Sequence, residues 1–236
     1  MALQNNRPVA VITGASRGIG LATATLLAES FHLVLVARNA ELLQKLAADF
    51  PSAQYFVADL ASAADTAKLV AQLQQLDRID ALVHSAAVIG YGPIAAVDEE
   101  AATSWQNIFA VNVTAVAQLT AGLLPQLRQS HGTVVAVNSG AGLNAGSNYA
   151  SYAASKFALK AVTDSLRAEE APNGVRVTSV HPGRVATDMQ KQLRAAEHGE
   201  YHAADYLQPE TVAAAIQNAI LAPAAASVDM ISVRPL

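Results

Sequence analysis

The sequence predicts an α/β protein built on a doubly wound parallel sheet. Three observations carry that expectation. Apolar runs of strand length alternate with longer segments of helical period along the whole chain. The short runs are near-continuous Val, Leu, Ile and Ala rather than alternating, as in parallel strands covered by helices on both faces. The first run also ends in a glycine-rich turn that opens directly into an alanine-rich helix, "VITGASRGIGLATATLLA".

Strands are expected at Val9–Thr13, Leu33–Ala37, Gln54–Ala58, Ala81–Ser85, Thr133–Asn138, Val175–His181 and Met230–Val233. Helices are expected between them at Ile19–Ser30, Glu41–Asp49, Ala63–Gln75, Glu99–Ala110, Val113–Gln129, Tyr152–Glu170 and Pro209–Leu221. Repeated β-α order implies right-handed crossovers. Pro125, inside "LTAGLLPQLRQ", should kink its helix or end its regular part. No internal repeat, low-complexity linker or charge run marks a boundary, so residues 1–236 read as one domain. The segment 188–208 follows a strand's C-terminal end, where a substrate lid would sit in an open α/β sheet.

Composition narrows the function classes. Of the 236 residues 52% are hydrophobic and only 14% charged, which excludes a disordered chain. The formal net charge of −4, without a basic patch, argues against a nucleic-acid partner. With no cysteine there is no disulfide framework, zinc ribbon or thiol nucleophile, and the six histidines show no metal-ligand spacing, so no metal is expected. "MALQNNRPVAVITG" has no basic region followed by an apolar signal core, and no run approaches the ~18 apolar residues of a membrane span. The expectation is a cytoplasmic protein with no membrane partner.

The glycine turn carries the first functional signal. Gly14, Gly18 and Gly20 are spaced G-x-x-x-G-x-G, with Ile19 after Gly18 and Leu21 after Gly20, which is not a phosphate-binding P-loop. A strand, a glycine turn and a helix N-terminus bring backbone N–H groups and the helix dipole to one point, a site for phosphate. Gly14 suits the tight turn, Gly18 the close approach to a pyrophosphate, and Gly20 the packing of helix on strand. A plain turn with packing glycines is the alternative. A ribose with a free 2′-hydroxyl is usually held by an acid about 20 residues into such a unit. Here Ala37 and then Arg38 occupy that region, with Arg17 inside the turn. Two guanidiniums can flank a 2′-phosphate, which favours NADP(H) over NAD(H). Alternatively, both arginines are solvated surface groups.

Further along stand "NSGAG" and "YAASK". Tyr152 and Lys156 are i and i+4 and share one helix face. A nearby ammonium favours phenolate and should lower the Tyr152 pKa toward a range useful for proton exchange. Ser139 can hydrogen-bond the reacting oxygen and stabilise its developing charge. An amphipathic helix with a snorkelling lysine would give the same pair on its own.

"TGASRGIG", "NSGAG" and "YAASK", in that order, resemble the short, single-domain branch of the short-chain dehydrogenase/reductase family, over Val9 to about Val233. The resemblance implies a Rossmann-type fold and a catalytic set of Asn112, Ser139, Tyr152 and Lys156. Tyr149 does not fit, because Ala153 stands four residues after it. The resemblance also implies that Lys156 holds the nicotinamide ribose and that Asn112 positions a water in a proton relay. It places Asp59 and Leu60, in "VADL", at the adenine. Pro182, Gly183, Val185 and Thr187, in "HPGRVATDM", fall near the nicotinamide. With Gly14, Ser16, Arg17, Gly18, Ile19, Gly20, Arg38, Ser85, Ala86, Tyr152 and Lys156 these complete the expected cofactor site. One segment departs: "HSAA", His84 to Ala87, stands where the family reads "NNAG", crowding the backbone's approach to the cofactor.

The function expected is an NADP(H)-dependent interconversion of a carbonyl compound and an alcohol. Competing readings are an NAD(H)-dependent dehydrogenase and a nucleotide-binding sensor without turnover; an epimerase or dehydratase of the extended branch would need a longer chain. Expected pocket walls are Ile89–Ile94, Leu143 to Tyr149 and 188–208, with Tyr91, Asn144, Lys191, Arg194 and Tyr201 as polar contributors. The partner expected is a small-molecule substrate, and the resemblance implies further copies of the chain, in a homodimer or homotetramer through the fourth and fifth crossover helices.

Overall fold

In the computed structural model, which describes residues 7–235, the strands are β1 (Val9–Thr13), β2 (His32–Ala37), β3 (Ala53–Val57), β4 (Ala81–His84), β5 (Thr133–Val137), β6 (Arg176–Pro182) and β7 (Met230–Val233). They form one parallel sheet in the order β3-β2-β1-β4-β5-β6-β7. The helices are α1 (Gly18–Leu27), α2 (Ala40–Asp49), α3 (Ala63–Leu73), α4 (Glu99–Phe109), α5 (Ala115–Ser130), α6 (Ala150–Glu170), α7 (Asp188–Ala196) and α8 (Pro209–Ile220). This is the Rossmann-type doubly wound α/β fold expected from the sequence.

The apolar runs divide their side chains between two cores. Ala10, Ile12, Leu33 and Leu35 face one side, where Leu27 of α1, Leu43 of α2 and Val212 and Ile216 of α8 cover them. Val9, Val11, Val34 and Val36 face the other, against Leu69 and Leu73 of α3 and Leu119, Leu123 and Leu127 of α5. A strand apolar at every position thus feeds both layers, because successive side chains leave opposite faces of the pleat. Both-face burial fails at the edges. β3 and β7 have no buried residue, and Val57 and Met230 are about half exposed.

Two expectations are corrected between β4 and β5. Helices Glu99–Ala110 and Val113–Gln129 are expected as separate elements, but α4 and α5 are continuous through one π-helical turn at Ala110–Thr114. Pro125 neither ends nor visibly interrupts α5, which runs five residues further to Ser130. The carbonyl that loses its hydrogen bond, that of Ala121, lies on the exposed face, where water can satisfy it. The irregularity falls at Asn112 instead. The joined helix Glu99–Ser130 has the length and hydropathy to cross a membrane. Its apolar stripe is spent on the core: Leu119, Leu123 and Leu127 are fully buried under the sheet.

Strand order reverses between β1 and β4, so the helices after them leave on opposite faces and open a crevice at the strands' C-terminal ends. The turn after β1 lines one lip. Gly14 has φ +66°, and a Cβ there would fall 2.8 Å from both Ala86 N and Ala86 Cα on the opposite lip. A Cβ on Gly20 would fall 2.8 Å from the carbonyl carbon of Gly14, so the missing side chain lets α1 start against the turn. Gly20 therefore packs α1 against the turn.

Two stability measurements follow. Gly20→Ala should lower stability by about 2–3 kcal/mol through overpacking, read as a shift of the urea midpoint; an unshifted midpoint would show that the turn is not close-packed. His84 is fully buried beside Thr120 (Nε2···Oγ1 2.9 Å), and burial lowers its pKa to about 4. In the unfolded chain it protonates near 6.5, so its contribution is complete above pH 6.5 and is lost as pH falls toward 4, by about 3 kcal/mol in all. His84→Asn should flatten the urea midpoint over that interval relative to wild type.

Candidate active site

A cavity of about 670 Å³ follows the crevice from the end of β2 to the start of α6. One end is lined by Arg38, Asp59 and Leu60, the middle by Gly14, Ser16, Arg17, Gly18, Ile19, Ser85 and Ala86. The far end is lined by Ser139, Tyr152, Lys156, Pro182, Gly183, Val185 and Thr187. Of the residues expected to bind cofactor, only Gly20 lies outside it, for the packing reason given above. Among the described residues no three His, Asp or Glu side chains are grouped to hold a metal.

The middle of the cavity is backbone-rich. α1 begins after Arg17 with no side-chain cap and no acid in its first turn, leaving the N-terminal N–H groups and dipole for an anion. Gly18 sits at φ +55°, and a Cβ there would press on Thr187 Cγ2 at 3.2 Å. On the opposite lip the Thr13 hydroxyl accepts from Ser85 N and Ala86 N, both at 3.2 Å. The departure from the family at His84–Ala87 is thereby absorbed: His84 is turned into the core, while Ser85, Ala86 and Ala87 line the cavity through a fixed backbone. A dinucleotide fits this arrangement. Glycines leave room along the crevice, uncapped N–H groups face the middle, and Arg38 stands at the ribose end.

At the far end, α6 carries Tyr152 and Lys156 one turn apart, both under 10% exposed. Lys156 Nζ donates to the Val137 carbonyl at 2.9 Å and lies 5.7 Å from the Tyr152 ring centre. Burial lowers the Lys156 pKa to about 7. The expectation that Lys156 depresses the Tyr152 pKa is corrected. Burial raises the Tyr152 pKa, and the hydrogen bond with Ser139 only partly offsets it. In the protein alone the phenol is neutral, and an ammonium that itself loses charge near neutrality supplies little field.

Ser139 is held from several sides. Its hydroxyl accepts from Ala141 N at 3.0 Å, and its N–H donates to Asn138 Oδ1 at 3.0 Å. Its carbonyl meets His181 Nδ1 at 2.9 Å, and His181 Nε2 meets Ser179 Oγ at 2.9 Å. Asn112 stands apart from the expected set. It does not line the cavity; its Nδ2 donates to Val88 O (2.9 Å) and Ser155 Oγ (3.0 Å), and its Oδ1 accepts from Val88 N (2.9 Å). The π-helical turn brings this side chain to a β4-loop backbone that does line the cavity.

The expected substrate walls are met in part. Ile89, Asn144 and Tyr149 line the cavity, whereas Gly90–Ile94 and Leu143 do not. Of 188–208, only Asp188, Met189, Gln190 and Leu193, all on α7, reach it; Lys191 and Tyr201 border a separate depression beside α1. Arg194 turns away to Glu197 at 2.6 Å. Two features were missed from sequence. Glu197 accepts from the Tyr149 hydroxyl and from Arg184 (2.7 and 3.1 Å), tying α7 to the start of α6; burial raises its pKa, but the hydrogen bonds from Arg184, Tyr149 and Arg194 outweigh it and hold the pKa at about 2. Arg234, just past β7, also lines the cavity. Neither sits in a local motif: Glu197 lies 48 residues from Tyr149, and Arg234 reaches the site only through the β6–β7 pairing.

Comparison with known proteins agrees with this geometry. The "short chain dehydrogenase" family model matches residues 8–198. A glycine betaine reductase of Emericella nidulans is 35% identical across 96% of this chain, which spans 18% of that protein's length. An uncharacterized oxidoreductase of Listeria monocytogenes is 31% identical over 96% of both chains. A cyclopentanol dehydrogenase of Comamonas is 33% identical over 80% of this chain and 77% of its own. Among solved structures, an actinorhodin polyketide ketoreductase with NADPH superposes with TM-score 0.87 at 28% identity, covering 99% of this chain and 98% of its own. A putative NAD(P)-dependent gluconate 5-dehydrogenase from Beutenbergia cavernae, with bound NADP, gives 0.84 at 29% identity, covering 98% and 96%. With the glycine turn, the crevice and the Ser139–Tyr152–Lys156 cluster in place, the chain belongs to the short-chain dehydrogenase/reductase family of oxidoreductases.

Proposed function

We propose that the protein interconverts a carbonyl compound and an alcohol, with NADP(H) as its preferred cofactor and Tyr152 as the proton-exchanging group. The observation that carries this reading is the convergence of Ser139, Tyr152 and Lys156 at one end of a cavity whose other end is marked by Arg38. A bound nicotinamide supplies or accepts hydride at the substrate carbon. Everything else falls to the chain. Tyr152, held neutral by burial, gives its proton to the carbonyl oxygen in reduction and takes one from the hydroxyl in oxidation. Ser139, braced by Asn138 and His181, hydrogen-bonds the same oxygen as charge develops there. Lys156 has three N–H donors and spends one on Val137, leaving two for the ribose.

Preference for NADP(H) rests on charge at the ribose end. Ala37 offers no acid to a 2′-hydroxyl, and Arg38 lines the cavity with no carboxylate within 4.0 Å among the described residues. Arg17 is nearby and weakly committed, 3.5 Å from Asp188 with both side chains about half exposed. The NADPH-bound ketoreductase, similar over nearly its whole length, supports the same choice.

Tyr152→Phe should cut reduction of a carbonyl panel, followed by NADPH absorbance, by about 100-fold or more; full activity on any substrate would remove Tyr152 as proton donor. Arg38→Asp should weaken NADPH binding at least ~10-fold, as loss of a charge-assisted contact does, while NADH binding changes little. Equal losses, measured by fluorescence titration of the two cofactors, would show that Arg38 does not read the 2′-phosphate.

A further inference from the structure

Four arginines line the cavity, and their partners differ. Arg184 makes two hydrogen bonds to Glu197, a carboxylate it shares with Arg194, and Arg17 leans on Asp188. Arg38 and Arg234 have no carboxylate within 4.0 Å among the described residues. They occupy opposite ends: Arg38 follows β2, whereas Arg234 lies over the loop that carries Ser139. A cavity with, among the described residues, a guanidinium unpaired by carboxylate at each end suits a charge at each end, and the cofactor accounts for only one.

The seat of Arg234 is specific. A Cβ on Gly140, the residue after Ser139, would run into the guanidinium, with Cζ only 3.0 Å away. The absence of a side chain at position 140 is therefore what lets the guanidinium lie beside the catalytic serine. The backbone behind it is fixed, since Gly183 N donates to Val233 O at 2.8 Å and β7 pairs with β6 through Pro182↔Val233. The acids that line the cavity, Asp59 and Asp188, belong to the β3 and α7 lips, and Asp188 already faces Arg17 and Lys191.

We propose that Arg234, seated over Gly140, is the anion subsite of the substrate pocket, and that the substrate is a carbonyl compound or alcohol bearing a carboxylate. This rests on the oxidoreductase reading above and names its substrate class. A planar guanidinium matches a carboxylate with two parallel hydrogen bonds. A single guanidinium also matches the single charge of a carboxylate better than the double charge of a phosphate.

The test uses 2-, 3-, 4- and 5-oxoalkanoates with their methyl esters, which keep the carbonyl and remove the charge. Wild type should show a lower KM for the acid than for its ester at one or more chain lengths. Arg234→Gln should raise that acid's KM about 10-fold or more, with kcat and the ester's KM within about twofold, as expected for one charge-assisted contact outside the bond-making step. Arg234→Lys should retain part of the preference, having charge without the fork. If esters are reduced in a Tyr152-dependent way but no acid is preferred at any length, the anion subsite is wrong and the oxidoreductase reading stands. An equal loss on acid and ester in Arg234→Gln would likewise overturn the subsite and mark Arg234 as structural. If neither acids nor esters are turned over while other carbonyls are reduced in a Tyr152-dependent way, the subsite is wrong and the oxidoreductase reading stands.

Discussion

The arrangement depends on how closely the ends of β1 and β4 are held at the point where strand order reverses. The Thr13 hydroxyl accepts from two backbone N–H groups of the β4 loop and lies 3.4 Å from the Val83 carbonyl, so one side chain ties the lips of the crevice together. That closeness is possible only because Gly14 has no Cβ to meet Ala86. Once the lips are fixed, α1 must begin where Gly20 lets it, and its N-terminus must point along the crevice. The backbone-rich middle of the cavity, with its uncapped N–H groups, is thus a consequence of strand spacing. A bulky residue at Gly14 or Gly20 would alter the fold and the site together, since both use the same missing atoms.

The far end is governed by burial of polar groups. Lys156, Asn112, Asn138, Ser179 and His181 are all under 3% exposed, an expensive set to desolvate. Each is partnered within the protein: Lys156 by Val137, Asn138 by the Ser139 amide and Ser179, and His181 by Ser139 and Ser179. Burial also keeps His181 on the neutral side, with Lys156 and Arg234 adding to the effect. A neutral imidazole can serve the Ser139 carbonyl at one nitrogen and the Ser179 hydroxyl at the other. Under the proposed function, His181 then braces Ser139 and leaves proton exchange to Tyr152 and Lys156.

Much of this was legible in the sequence because it is local. Strand–glycine–helix order, the i, i+4 spacing of Tyr152 and Lys156, and doubly buried Val/Leu/Ile runs are written within a few residues of one another, and the structure places them together. What was not legible depends on distance or dielectric. β3 and β7 look like interior strands until topology puts them at the sheet edges. Pro125 looks like a break until its lost hydrogen bond proves to face solvent. A lysine four residues from a tyrosine suggests a depressed phenol pKa, but burying both groups reverses the sign. Glu197 and Arg234 carry no motif at all: Glu197 reaches Tyr149 across 48 positions, and Arg234 meets Gly140 only through the fold.

The partners missing from the far end say something about what binding must do. Lys156 has one acceptor for three donors, and Tyr152 is a buried phenol whose neighbour Ser139 is already shared with Ala141. Buried groups with spare hydrogen-bonding capacity cost stability until something fills it. A ligand that completes this set is favoured twice, by its own contacts and by relief of that cost, and it binds the folded chain alone. The same completion changes the chemistry. A ribose that occupies the two spare Lys156 donors favours the ammonium over the neutral amine, which restores a positive charge beside Tyr152 and moves its phenol back toward proton exchange. Under the proposed function, cofactor binding and activation of Tyr152 are then one event, because both act on the same lysine.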